Sequence, residues 1–224
     1  MSHYFLDQQI ENHHFILGVC SPDLISIFNR EVRFKARKIE AQHLSSTDYA
    51  FLQGVLRHFE VDAVFHSCQF FEEETQFISL QLKEIFGDVA RRRFFVAHIL
   101  LELLIDKILI AQNPNLVDDF YLRFEKIGIP PLVQMSEALA LMPLPSYDNF
   151  LEKFLSNQYL YHYSEAEYIC FVLKRLLHRV HIEDNHYIDT PEFLQLLEDY
   201  EKRLEISLPQ LFDFLSQNIK GLDI

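Results

Sequence analysis

Residues 52–68, LQGVLRHFEVDAVFHSC, decide the predicted fold because they combine helical spacing with a polar stripe. His58, Asp62 and His66 follow one another at steps of four residues. Such a step returns to nearly the same face of an α-helix, with a drift of about 40°. The stretch therefore predicts a helix that presents histidine and carboxylate side chains on one face.

A second segment, residues 92–111, repeats this spacing with His98, Glu102 and Asp106. The side chains around them are apolar on nearly all sides, which predicts a helix buried on most of its faces. Buried carboxylates cost several kcal/mol unless a cation or hydrogen-bond donors compensate them. Two interpretations stay open: a divalent metal or catalytic site, and a structural ion network with basic side chains such as those of residues 91–93.

Two such stripes on neighbouring helices predict an interior metal site. His58 and Asp62, four residues apart, are a suitable ligand pair for Zn²⁺, Mn²⁺ or Fe. His66 and His98 are additional candidate ligands, although His98 alone also fits a hydrogen-bonded core histidine. The chain contains no G-x-S-x-G, P-loop, H-E-x-x-H or G-x-G-x-x-G motif.

Composition indicates an all-α protein with a sizeable core. The chain has 224 residues, 49% hydrophobic and 24% charged, with only 5 glycines. Apolar residues recur at helical spacing, and alternating β-branched runs are missing. We predict one helical domain over residues 1–224, in which residues 1–112 hold the metal-site helices. Residues 113–224 would complete the core or form a lid.

Charge and cysteine usage exclude several classes of function. A formal net charge of −13 argues against non-specific binding to nucleic acid, which requires clustered positive charge. Three scattered cysteines indicate a reducing compartment, and the N-terminus lacks the pattern of a signal peptide. The apolar segment 94–110 contains four ionisable residues, which argues against a membrane span. We therefore expect a cytoplasmic protein.

Local signals predict the helix boundaries. Residues 45–48, SSTD, form a good helix start, and Pro22 fits the first turn of a new helix, which would place Asp23 in that turn. Residues 30–43 form the main basic run, either a solvated face or an anion-attracting rim beside Asp23. Further helices are predicted at residues 45–67, 69–86, 92–111, 115–126, 131–141, 147–158 and 190–217, with a segment of residues 164–181 before the last of them.

Several segments occur in an order that resembles a known family. They are SHYFLD near the N-terminus, LGVCSPDLI, GVLRHFEVDAVFHS, and a later helix with E-x-x-x-D before a basic residue. This order resembles the bacterial acyl-carrier-protein phosphodiesterases, which are helical, metal-dependent phosphohydrolases related to the HD-domain superfamily. The likeness continues through NQYLYHY and FLQLLEDYEKRL and so covers most of the chain.

The resemblance implies a set of ligands for one or two divalent ions (Mn, Fe, Zn or Mg). Asp23, Asp62 and Asp106 would also take part in catalysis, and the substrate would be the phosphopantetheine link on an acyl carrier protein or a small phosphodiester. The implied ligands are His3, Asp23, His58, Asp62, Glu102 and Asp106. Basic side chains that could neutralise phosphate oxygens are Arg33, Lys35, Arg91, Arg92 and Arg93.

Three positions depart from the pattern of that family. His66 replaces an Asp, Cys68 replaces a His, and Lys107 replaces the His of a D-H pair. A changed metal, a changed substrate and lost activity are all compatible with these replacements. The alternative function is therefore a helical scaffold or binding protein that keeps the fold without turnover. Hydrolysis of phospholipid at a membrane surface is disfavoured, because the chain lacks a basic amphipathic helix.

Overall fold

The computed structural model describes residues 1–87, 92–183 and 185–219 of the chain. These residues form helices, turns and loops and contain no strand, which confirms the prediction of an all-α fold. The helices are α1 (Ser2–Asp7), α2 (His13–Phe28), α3 (Ser46–Ser67), α4 (Gln69–Phe86), α5 (Arg93–Gln112), α6 (Leu116–Ile127), α7 (Ile129–Ala140), α8 (Tyr147–Asn157), α9 (Ala166–Arg179) and α10 (Pro191–Asn218).

The capping signals in the sequence begin the helices where they were expected. At the start of α3, the Oγ of Ser45 accepts a hydrogen bond from the backbone N–H of Asp48 at 3.1 Å. The side chain of Thr190 does the same for Phe193 at the start of α10, where Pro191 occupies the first turn. Capping therefore fixes the starts of the two longest helices.

The prediction that Pro22 begins a helix is wrong. Pro22 lies inside α2, which runs without interruption from His13 to Phe28. Proline removes one backbone hydrogen bond from a helix interior, but nine residues of α2 are buried. The burial of this apolar segment outweighs the lost hydrogen bond. Asp23 consequently lies in the middle of a long helix rather than in a first turn.

Contacts divide the chain into two compact units, each built from separate segments. Unit 1 contains Met1, His3–Ala63 and Asn115–Tyr159. Within it α2 packs against α6, and α7 packs against both α6 and α8. A cluster of aromatic rings, including Phe120, Phe124 and Phe154, fills the space between these helices.

Unit 2 contains Ser2, Val64–Pro114 and Leu160–Ile224, of which the structure describes the ranges given above. The apolar helix α5 contacts α4, α9 and α10. The carboxylate of Glu74 on α4 is buried and accepts hydrogen bonds at 3.0 Å from Tyr200 and from two nitrogens of Arg203 on α10. The prediction of a single domain stays a prediction.

Each unit also buries tyrosine and cysteine side chains. Tyr4 and Tyr147 are buried in unit 1, and Tyr187 and Tyr200 are buried in unit 2. The three cysteines, which are Cys20, Cys68 and Cys170, are unpaired with one another and buried. No helix in the described part of the chain combines the length and apolar character needed to cross a bilayer.

Candidate functional site

The described residues contain two groups of side chains that could hold a metal ion, one in each unit. The first consists of His3, His58 and Asp62 in unit 1, and one ligand atom of each lies within 4.8 Å of the other two. The rings of His3 and His58 are stacked, with centroids 4.0 Å apart and planes inclined by 19°. The prediction that His58 and Asp62 share one face of a helix is consistent with this grouping.

The orientation of His58 is fixed by a backbone carbonyl. His58 is 5% exposed, and its Nδ1 lies 2.9 Å from the carbonyl oxygen of Val19 on α2. Because a carbonyl only accepts hydrogen bonds, Nδ1 must carry the proton and donate it. Nε2 is therefore the ring nitrogen with which His58 could bind a metal ion.

Asp23 lies beside both histidines of this group. Its Oδ1 is 3.8 Å from Nε2 of His58, and its Oδ2 is 4.0 Å from Nδ1 of His3. The side chain of Asp23 is 59% exposed, so its carboxylate faces solvent at the edge of the group. The predicted residues His3, Asp23, His58 and Asp62 are thus brought together within unit 1.

Asp23 stands apart from the candidate ligand atoms of the group. Ligands about 2.1 Å from one ion are about 3.0 Å apart in octahedral and about 3.4 Å apart in tetrahedral coordination. The separations of 3.8 and 4.0 Å between Asp23 and the two histidines exceed both values and also the length of a direct hydrogen bond. A donor set of imidazole nitrogens and carboxylate oxygens suits Zn²⁺, Fe²⁺ or Mn²⁺ better than Mg²⁺.

Two glycines allow the close approach of α2 and α3 that creates this arrangement. A Cβ on Gly54 would lie 2.0 Å from the carbonyl oxygen of Phe15, and one on Gly18 would lie 2.1 Å from that of Phe51. The backbones therefore touch where the glycines meet. Val19 follows Gly18 on α2, and His58 lies one turn after Gly54 on α3. The close contact of the two helices at the glycines therefore brings His58 within hydrogen-bonding distance of the Val19 carbonyl.

The short helix α1, which carries His3, is held by a buried ion pair. Arg57 on α3 donates from Nε and Nη2 to the two carboxylate oxygens of Asp7, each at 3.1 Å. The side chains of Asp7 and Arg57 are only 4% and 11% exposed. Arg57 immediately precedes His58, so this two-point contact fixes α1 beside the histidine that His3 stacks on.

Arg123 on α6 fastens the end of α1 from another direction. Its guanidinium donates hydrogen bonds to the carbonyl oxygens of Gln8, at 2.6 Å, and Ile10, at 2.7 Å, and to the hydroxyl of Tyr4 at 3.2 Å. These carbonyls follow the last turn of α1, where helical partners are lacking. The position of His3 is therefore determined by the anchoring of the whole segment.

The second group lies in unit 2 and consists of His66, His98 and Glu102. Oε1 of Glu102 lies 3.0 Å from Nε2 of His98 and 3.4 Å from Nε2 of His66. The expectation that Glu102 is buried is wrong, because its side chain is 44% exposed. The face of α5 that carries His98, Glu102 and Asp106 is only half-buried, whereas the leucines on the other faces are buried.

Asp106 and Lys107 make different contacts within unit 2. Oδ1 of Asp106 accepts a hydrogen bond from the backbone N–H of Ser2 at 2.9 Å. Lys107 is 9% exposed and forms an ion pair with Glu201 on α10. Lys107 therefore has a structural role between α5 and α10.

The predicted phosphate-binding residues lie in surface segments, except for Arg91, which is outside the described residues. Arg33 and Lys35 are exposed and alternate with the buried Val32 and Phe34, which agrees with a solvated basic face. The guanidinium of Arg33 donates to the backbone carbonyls of Arg30 and Val32.

The two remaining predicted arginines flank the start of α5 in unit 2. Arg92 is exposed at the N-terminal cap of this helix, with a left-handed backbone at φ 52°. Arg93 is half-buried, and its guanidinium lies 5.1 Å from the centroid of the Phe94 ring.

Several residues that shape the first group were not predicted. The carbonyl of Val19 leaves no trace in a sequence, and Asp7 and Arg57 are fifty residues apart. The only available signal was the occurrence of Gly18 and Gly54 inside apolar helical segments of a glycine-poor chain. Comparisons with family models, with curated proteins and with solved structures find no match to this chain.

Proposed function

We propose that this chain is a metal-dependent hydrolase of phosphoric diesters, with its divalent ion held in unit 1 by His3, His58 and Asp62. The observation that carries the proposal is the hydrogen bond from Nδ1 of His58 to the carbonyl of Val19, which orients the ring within the group that His58 forms with His3 and Asp62. The resemblance to acyl-carrier-protein phosphodiesterases independently points to the same residues and to an HD-domain-like helical arrangement.

The residues around the group have complementary tasks. A divalent ion supplies Lewis acidity, which draws electron density from a phosphoryl group and acidifies water. His58 is held rigidly by Val19, and His3 is stacked against it, so neither ligand needs to reorganise. The exposed carboxylate of Asp23 can accept a proton from attacking water and pass it to solvent.

The proposed substrate is a phosphodiester such as the phosphopantetheine link on an acyl carrier protein in the cytoplasm. Carrier proteins of this kind are acidic, and this chain has a net charge of −13. Docking would therefore use the exposed basic side chains of unit 1, Arg33, Lys35 and Arg37, which form a local positive stripe.

The second candidate function is a helical binding protein without turnover. The ion pair of Lys107 with Glu201 favours it, because the family's histidine at this position is replaced by a residue with a structural task. Such a protein would keep the helices and the imidazole pair but would not hydrolyse phosphodiesters.

Elemental analysis of the purified chain and of a His58→Asn variant tests the proposal. The Nδ2 of asparagine can still donate to the carbonyl of Val19, whereas the ligand atom Nε2 is removed. We expect the variant to lose one equivalent of Mn, Fe or Zn and to hydrolyse bis(p-nitrophenyl) phosphate at least about 100-fold more slowly.

The matched control is His43→Ala, which removes an exposed histidine of unit 1 that is paired with Glu40. It should leave both metal content and turnover unchanged. Absence of metal from the wild-type chain after incubation with Mn²⁺ and Zn²⁺ would overturn the proposal. Retained metal without turnover of the phosphodiester would favour the binding protein.

A further inference from the structure

We propose that unit 2 contains a separate site for a first-row transition-metal ion, preferentially Zn²⁺, formed by His66, His98 and Glu102. The site is independent of the proposed hydrolase, because all three ligands belong to unit 2 and none is shared with the group around His58. It lies where the last turn of α3 meets the first half of α5.

The three candidate ligand atoms converge on one point. Nε2 of His98 and Nε2 of His66 lie 3.0 and 3.4 Å from the same oxygen, Oε1 of Glu102. The contact of His98 is also a hydrogen bond, which an ion would replace. The 3.4 Å separation from His66 is that of two ligands about 2.1 Å from one tetrahedral ion.

Phe71 on α4 orients both imidazole rings. Its ring packs edge-to-face against His66, with centroids 4.6 Å apart at 87°, and against His98, with centroids 4.9 Å apart at 86°. The rings of His66 and His98 are themselves 4.7 Å apart. The phenyl ring thus packs against both histidines, whose Nε2 atoms both face Oε1 of Glu102.

The exposure and the donor set indicate which ion would bind. The side chains of His66, His98 and Glu102 are 27%, 38% and 44% exposed, so an ion and its water ligands can enter from solvent. Two imidazoles and one carboxylate match Zn²⁺ and neighbouring transition metals, whereas Mg²⁺ and Ca²⁺ prefer oxygen ligands. One or more coordination positions would remain for water or a ligand.

This site is tested by titrating the full chain, after treatment with a chelator, with Zn²⁺ in a calorimeter. The titrated protein is the His58→Asn variant, which lacks the candidate ligand in unit 1. We expect this variant to bind one equivalent of Zn²⁺, and addition of His98→Ala to abolish that binding. Glu102→Gln, which keeps a hydrogen-bond acceptor beside both histidines, should weaken it at least about 10-fold.

A spectroscopic readout and a control complete the experiment. Co²⁺ in place of Zn²⁺ should give visible absorption that disappears with His98→Ala, and circular dichroism checks the fold of each variant. His162→Ala is the control, because His162 is 53% exposed and lies 3.9 Å from Glu165 in the same unit. It should leave Zn²⁺ binding unchanged.

The outcomes separate this site from the proposed hydrolase. If the His58→Asn variant binds no Zn²⁺, or binds it equally with and without His98→Ala, the second site is refuted and the group is a hydrogen-bonded cluster only. If the wild type binds one ion that His98→Ala removes and His58→Asn does not, the second site stands and the hydrolase proposal fails.

Discussion

Replacement of Gly54 by alanine is expected to lower the free energy of unfolding by about 3 kcal/mol. The new Cβ would lie 2.0 Å from the carbonyl oxygen of Phe15 and 2.8 Å from the backbone nitrogen of Val19. Both neighbours are backbone atoms, so α2 and α3 must separate. Alanine favours a helix over glycine by about 1 kcal/mol, which is too little to compensate. Urea unfolding measures the change.

Gly128→Ala is the matched control for this substitution. Gly128 has φ +80° and ψ 165°, a backbone conformation found essentially only in glycine, and nothing lies within 4 Å of an added Cβ, so alanine there causes backbone strain of about 1 to 3 kcal/mol without a clash. Gly54→Ala should also weaken metal binding at His58, because Val19 moves with α2, whereas Gly128→Ala should not. Equal stability of Gly54→Ala and the wild type would contradict the backbone contact.

Arg57→Met is expected to cost about 3 to 5 kcal/mol of stability, because it leaves the carboxylate of Asp7 buried without its cation. Asp7 is 4% exposed and receives two hydrogen bonds from Arg57. Methionine keeps much of the apolar volume of arginine, so the loss of stability measures the contribution of the charge and the hydrogen bonds of Arg57. Thermal and urea unfolding measure it.

The double variant Asp7→Leu with Arg57→Met should recover most of this loss, since no buried charge remains. Lys202→Met is the control, because Lys202 is 70% exposed and its pairing with Asp199 contributes little. A cost below about 1 kcal/mol for Arg57→Met would mean that Asp7 is hydrated in the folded chain.

Because α1 carries His3, the affinity of unit 1 for a metal ion should also fall in the Arg57→Met variant.

The sequence was sufficient for the starts of α3 and α10 because each of them carries a local capping signal. Ser45 and Thr190 cap the helices that follow them, and apolar spacing extends each segment. The prediction from Pro22 was wrong because it used a local signal alone. Proline is typical of a helix start, but α2 continues through Pro22 because its residues are buried by tertiary packing, which a local signal does not contain. Likewise, the apolar character of residues 94–110 did not show that the face with His98, Glu102 and Asp106 is half-buried rather than buried.

The candidate site was predictable only in part. Spacing by four residues placed His58 with Asp62, and His98 with Glu102, because these pairs depend on helix geometry alone. The partition of the ligands into one group with His3 and another with His66 depends on which helices pack together within each unit. The carbonyl of Val19 that orients His58 belongs to the backbone, where residue identity carries no signal.

The buried tyrosines give each unit its own optical reporter at alkaline pH. The chain has ten tyrosines and no tryptophan, so phenolate absorbance is not obscured. Burial raises the pKa of Tyr4 and Tyr147 in unit 1 and of Tyr200 in unit 2, and it raises the pKa of Tyr187 to about 12.

Unfolding releases these protons, so stability falls as pH rises above about 10, the ordinary tyrosine value. The buried phenols should ionise only as their unit opens. Tyr147→Phe and Tyr187→Phe should each remove part of the late absorbance change, which assigns it to one unit. A single early transition would contradict the burial.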